Sequence, residues 1–153
     1  MVKQYLLLML LATTCLLVGC ESLGIGGQAP TPIPFRQHSA QDVFNALQAA
    51  GVTFANPVRD QLVGRGAPST FSERYTFEIE RIAPLGGQVL VFDTPEAMAE
   101  WQSYIERLRA DSATRRDVVY VYTQDNVMLQ INANLLSAEA AAYRDALASL
   151  ASS

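Results

Sequence analysis

Residues 118–131 read VVYVYTQDNVMLQI, and this stretch decides the fold. Two runs rich in β-branched and aromatic side chains, 118–122 and 127–131, flank Asp125-Asn126, a pair whose short polar side chains suit a turn. The pattern predicts a β-hairpin. Side chains alternate between faces along a strand. An even number of loop residues after Tyr122 therefore puts Val118, Tyr120 and Tyr122 on one face with Val127, Leu129 and Ile131. Val119, Val121 and Met128 then point the other way, beside Gln130 and Asn132. An antiparallel sheet covered on one side is usually polar on the other. The apolar character of this second face marks Val119, Val121, Met128 and Gln130 as a candidate partner-binding surface. Cover by the first helix or by a long loop is the alternative.

Working outward, Ser137 is placed to cap a last helix whose apolar stripe is Ala140, Tyr143, Leu147 and Leu150. Upstream, Tyr75, Phe77 and Ile79 alternate with Thr76, Glu78 and Glu80, which predicts a half-buried strand. Pro84-Leu85-Gly86-Gly87 reads as the turn, and residues 88–92 as the returning strand. Thr94 caps the next helix with Pro95 at its first position, where a missing N–H costs nothing. Ala97, Trp101, Tyr104, Ile105 and Leu108 form its stripe. Hairpin-then-helix thus occurs twice, and Glu100, Tyr104 and Leu108 match Glu139, Tyr143 and Leu147 at a constant offset of 39. The expected fold is α+β: an antiparallel four-stranded sheet from two ββα units, with an additional N-terminal helix and the helices mainly on one face. That first helix begins at Ser39, with Asp42 in capping-box position, buries Val43, Phe44, Leu47 and Ala50, and stops at Gly51. Residues 52–72, with Pro57, Gly64, Gly66 and Pro68, show no clear period. A loop this long is uncommon in a compact domain and is either functional or loosely ordered, with room for a short helix near 58–63.

The chain begins with one positive charge, Lys3, followed by an almost wholly apolar run from Leu6 to Val18. Thirteen residues are too few to cross a bilayer, which takes about 20. A basic start, a short apolar core and a small-residue exit describe a secretory signal. The exit, Leu17-Val18-Gly19-Cys20, resembles the lipobox of bacterial lipoproteins. The resemblance covers the signal alone. It implies diacylglycerol on the Cys20 thiol, cleavage before Cys20, and acylation (palmitate, for example) of the new amino terminus. More than one acyl chain is what firm membrane retention requires. An ordinary signal with an unmodified cysteine, or an uncleaved anchor, are the alternatives. The expected organisation is a cleaved signal over 1–19, a lipidated cysteine and Gly/Pro-rich tether over 20–38, and one α+β domain over 39–153. The expected location is extracytoplasmic, on a bacterial cell membrane. Glu21, where enteric lipoproteins retained at the inner membrane tend to carry Asp, leaves the outer membrane open.

Composition removes several classes of function. Without the signal the chain has ten arginines, no lysine and fifteen acidic residues, a net charge of about −5. Phosphate backbones need clustered positive charge, so nucleic acid is not an expected partner. Cys15 leaves with the signal and Cys20 is acylated, so no thiol remains for a disulfide, thiolate catalysis or cysteine-bound zinc. The single histidine, His38, sits where tether meets domain and supports neither a catalytic triad nor a multi-histidine metal site. It reads as a solvated linker residue. Gly64-Arg65-Gly66 offers amides to an anion but reads better as a turn. Glu78 with Glu80, and Glu96 with Glu100, are the carboxylate pairs a glycoside hydrolase would need. Both fall on predicted polar faces. Arg107, Arg109, Arg115 and Arg116 interleave with Glu106, Asp111 and Asp117 and read as local ion pairs, while Trp101, Tyr104 and Tyr143 read as core.

These readings predict a membrane-anchored envelope lipoprotein, non-catalytic, without cofactor or metal, that binds an envelope protein through the open sheet face or the 52–72 loop. Two other readings stand beside it. A small-ligand receptor or carrier requires a pocket between sheet and helices, whose stripes look filled. A carboxylate-dependent hydrolase requires a buried acidic pair.

Overall fold

The computed structural model describes residues 34–111 and 120–152. The signal, Cys20, Leu17, Val18, Gly19 and most of the tether lie outside these residues, as do Val118, Val119, Arg115 and Arg116. In chain order the elements are α1 (Ala40–Ala49), β1 (Ala55–Arg59), β2 (Glu73–Glu78), a 3-10 turn (Glu80–Ile82), β3 (Gly86–Val91), α2 (Pro95–Ala110), β4 (Tyr120–Gln124), β5 (Val127–Ile131) and α3 (Ser137–Ala148). A second 3-10 turn, Ser149–Ser152, follows α3. The strands form one antiparallel sheet in the order β1-β2-β3-β5-β4.

The hairpin at the centre of the sequence argument forms in the expected register. Tyr120 faces Ile131 and Tyr122 faces Leu129, while Val121 faces Gln130 and Thr123 faces Met128. Asp125 turns the chain with φ 47, a left-handed conformation that Asp tolerates. Tyr120, Tyr122, Val127, Leu129 and Ile131 join Tyr75, Phe77, Val89 and Val91 on one face. There they pack against Val43, Phe44 and Leu47 of α1 and Ala140, Tyr143 and Leu147 of α3. Ser39 closes the capping box of α1 with Asp42, and Gly51 stops that helix at φ 70. Ala50 sits at the C-cap and is exposed rather than part of the stripe. Ser137 is the first residue of α3, not its cap: Leu136 holds that position and donates its N–H to Glu139 Oε2 over 3.3 Å.

Several further expectations need correction. The sheet has five strands, not four. β1 comes from the stretch without a period, and it could not have shown one, because all five of its residues are exposed on a sheet edge. Pro57 lacks the N–H a central strand would use, and a bulge between Ala55 and Val58, with Asn56 at φ 51, further irregularises the pairing. No helix occupies 58–63.

The helices also do not gather on one face. α1 and α3 share a face, but Met98, Trp101 and Ile105 of α2 pack with Leu90, Phe92 and Met128 on the other. The reason lies in strand direction. β3 and β4 both run antiparallel to β5, so they are parallel to each other. Parallel strands need a crossover connection, and α2 lies across the face it crosses. The two ββα units are therefore not copies: Tyr143 stacks on Phe77 in one core, and Tyr104 borders the other.

Gly86 and Gly87 finally belong to β3, not to the turn before it, where they pair with Glu78 and Phe77. A Cβ on Gly87 would lie 2.5 Å from Phe77 Cζ and 2.6 Å from the Gln130 carbonyl oxygen. Glycine stands there because the Phe77 ring crosses the strand.

Candidate functional site

The face carrying α2 contains two cross-strand rows. Arg74, Leu90, Met128 and Thr123 align in one, and Thr76, Gln88, Gln130 and Val121 in the next. Leu90 and Met128 are fully buried and anchor the helix. The polar side chains beside them do not fill their space. Arg74, Gln88 and Gln130 form the floor of a cavity of about 220 Å³, walled by Trp101, Tyr104, Ile105 and Leu108 of α2 and roofed by Val63, Gly64 and Ala67.

The floor is a relay of hydrogen bonds. Arg74 Nε donates to Gln88 Oε1 (2.7 Å), and Gln88 Nε2 donates to Gln130 Oε1 (2.7 Å). Gln130 Nε2 is left with the thioether of Met128, a weak acceptor, at 3.1 Å. Arg74 Nη1 holds the roof: it reaches Asp60 Oδ2 (2.9 Å) and the carbonyl oxygens of Asp60 (3.2 Å) and Leu62 (2.5 Å). Asp60 in turn accepts from the Leu62 amide over 2.8 Å. That bond, with Arg74 beside it, holds the Asp60 carboxyl below its ordinary value. Above them, Trp101 is 3 % exposed, and its Nε1–H is buried without a hydrogen-bond partner. Buried tryptophans normally find one, and an unpaired buried donor costs about 1–3 kcal/mol.

The predicted partner-binding residues fall around this cavity. Met128 is 0 % exposed and Gln130 5 %, both beneath α2 and the loop, and Val121 is partly buried at the margin of the same cluster. The sheet face that would present them is covered, by α2 and by Val63, Ala67 and Phe71 of the 52–72 loop. The loop is a cover the alternative reading names; the first helix packs on the other face. Val119 lies outside the described residues. Sequence reasoning missed Arg74 and Gln88, because single polar residues in a strand read as a solvated face. Their signal was cross-strand register: Gln88 and Gln130 are partners, one row from Leu90 and Met128.

His38 is not a solvated linker residue. Its side chain is 14 % exposed, with Nε2 3.2 Å from Asp125 Oδ2. Its backbone is clamped by the fully buried Asn126, whose Oδ1 accepts from the amides of Gln37 (3.0 Å) and His38 (2.9 Å) and whose Nδ2 donates to the His38 carbonyl (2.8 Å). Phe35 packs against the α2 cluster, and Arg36 pairs with Glu73 and Asp93. The end of the tether is thus bound to the domain.

The carboxylate pairs do not converge. Glu80 has left the strand for the 3-10 turn, Glu78 accepts from Asn56 Nδ2 (3.0 Å), and Glu96 and Glu100 are exposed on α2. Gly64-Arg65-Gly66 forms a turn closed by the Ala67 amide on the Gly64 carbonyl (3.0 Å). Among the described residues no His, Cys, Asp and Glu cluster suits a metal ion, and no helix is long and apolar enough to cross a membrane. Comparison of the chain with family models, curated proteins and solved structures finds no match.

Proposed function

We propose that this protein is a non-catalytic lipoprotein, anchored outside the cytoplasm through lipidated Cys20, whose domain serves as a receptor or carrier for a small ligand held under α2. One observation carries the ligand reading: a half-open cavity of about 220 Å³ under α2, with Arg74, Gln88 and Gln130 converging on its floor and Trp101, whose buried indole N–H has no partner, in its wall. Ligand sites are concave, mainly apolar and furnished with a few such groups. The anchor rests on the order of basic start, apolar run and lipobox. Trp101 is the only tryptophan, so its emission reports on the cavity directly. Titration of the mature protein with small aromatic and branched aliphatic compounds should shift that emission saturably and raise the melting temperature. Ala67→Phe, which fills the cavity from the roof, should abolish both responses. Flat responses to every compound would reject the reading.

A protein partner remains a second reading, in the version that uses the 52–72 segment. Val58 and Leu62 are 56 % and 82 % exposed along and just beyond the β1 edge. Crosslinking in intact cells, with and without Val58→Glu and Leu62→Glu, tests it. A crosslinked envelope protein lost in the double variant supports this reading, and no crosslink in the wild type rejects it.

A further inference from the structure

We infer that the ligand of the α2 cavity is a small monocarboxylate with an apolar body about the size of one ring. This rests on the ligand-binding reading above and deepens it. The first support is the count of free hydrogen-bonding valences. Each side-chain acceptor on the floor already holds one donor, Gln88 Oε1 that of Arg74 and Gln130 Oε1 that of Gln88. The donors left over outnumber the spare lone pairs. Trp101 Nε1–H has no acceptor, Gln130 Nε2 has only a sulfur, and Arg74 Nη2 makes none of the guanidinium's bonds to Gln88, Asp60 and Leu62. A ligand that satisfies this cavity therefore brings acceptors, and a carboxylate brings two oxygens with about four lone-pair sites.

The second support is charge. Among the described residues lining the cavity, Arg74 is the only charged side chain and none is a carboxylate. Asp60 meets Arg74 at Nη1, on the side of the loop, and is spent on the Leu62 amide as well. The partly buried Arg74 is paired with Asp60 through Nη1 alone, and its Nη2 edge favours an acceptor that is ionised, since charge-assisted bonds are roughly twice as strong as neutral ones. Size is the third. A dry cavity of about 150 Å³ holds benzene, so about 220 Å³ holds one ring and a short acid group. Trp101, Tyr104, Ile105 and Leu108 supply the apolar wall for that body.

The test is calorimetric titration of the mature protein in detergent micelles with three ligands of one shape: phenylacetate, phenylacetamide and ethylbenzene. Phenylacetate is expected to bind at least tenfold more tightly than phenylacetamide, with ethylbenzene weaker again. Arg74→Gln should erase the preference for the acid while phenylacetamide still binds. Trp101→Phe should weaken both acceptor-bearing ligands several-fold and leave ethylbenzene unchanged. The wild-type comparison decides alone if Arg74→Gln does not fold. Equal binding of phenylacetate and phenylacetamide would overturn the carboxylate assignment and leave the ligand site standing. No saturable binding by any of the three would overturn both.

Discussion

Single atoms decide much of this molecule. The Asp42 carboxylate accepts from the Ser39 amide and hydroxyl, both at 2.7 Å, and these bonds, with His38 nearby, hold its carboxyl below the ordinary 3.8. A depressed folded value means the contribution is whole at pH above 3.8 and is lost as pH falls through the folded value. Asp42→Asn should therefore lower the melting temperature at pH 7 and leave it little changed at pH 2.5, as a paired thermal scan would show. Equal loss at both would mean the carboxylate charge is irrelevant. Gly87 is constrained from two sides, by the Phe77 ring and the Gln130 carbonyl. Gly87→Ala should cost about 1–3 kcal/mol in urea unfolding, the usual range for overpacking, and an unchanged midpoint would contradict the close approach. Asn126 makes three bonds to the Gln37–His38 backbone from a fully buried position. Replacing it with Ala leaves those groups unpaired, at about 1–3 kcal/mol for each that stays buried, and should free residues 34–38 to rapid hydrogen exchange.

Among elements, those with a regular buried face were legible, the strand that buries none was not, and for strands buried on both sides the strand was legible but its cover was not. The β4–β5 hairpin, α1 and α3 each put a regular apolar period against one core, so the alternation of Tyr120, Tyr122, Leu129 and Ile131 could be read directly. β1 buries no residue and left no period to find. β3 and β5 are buried on both faces: Val89 and Val91 meet one core, Leu90 and Phe92 the other. A continuous apolar run of this kind says that a strand is central without saying what covers each side. The side taken by α2 was therefore invisible, and so was the cavity, which needs α2, the loop and three strands at once. Of its residues, Trp101, Tyr104, Ile105 and Leu108 read in the sequence as helix stripe, Gly64 as part of a turn and Gln130 as open surface. The roof follows from Asp60, whose bonds to the Leu62 amide and Arg74 hold it in place. Asp60→Ala should leave the sheet intact but speed amide exchange across 60–67. Unchanged exchange there would show that the roof is held by its apolar contacts alone.

At the scale of the whole molecule, the two cores perform different duties. The larger, between the sheet and α1 with α3, is closed by aromatic packing of Phe44, Phe54, Phe77 and Tyr143. The smaller, under α2, keeps polar side chains and space among its apolar ones. The proposed anchor fits this division, since lipid on Cys20 would hold an acidic domain at a surface its charge does not attract. Cys20→Ser should release the protein from membranes into the soluble fraction, and mass spectrometry of native material should find acyl chains on Cys20. Retention of the variant, or an unmodified thiol, would contradict the anchor. The cavity is tested most directly by the nuclear magnetic resonance signal of one proton, the Nε1–H of Trp101, whose indole resonance is unique in the chain. On titration with phenylacetate that resonance should move downfield and saturate as the N–H gains its acceptor. A resonance that stays put while ligand binds elsewhere, or while none binds, would contradict the account.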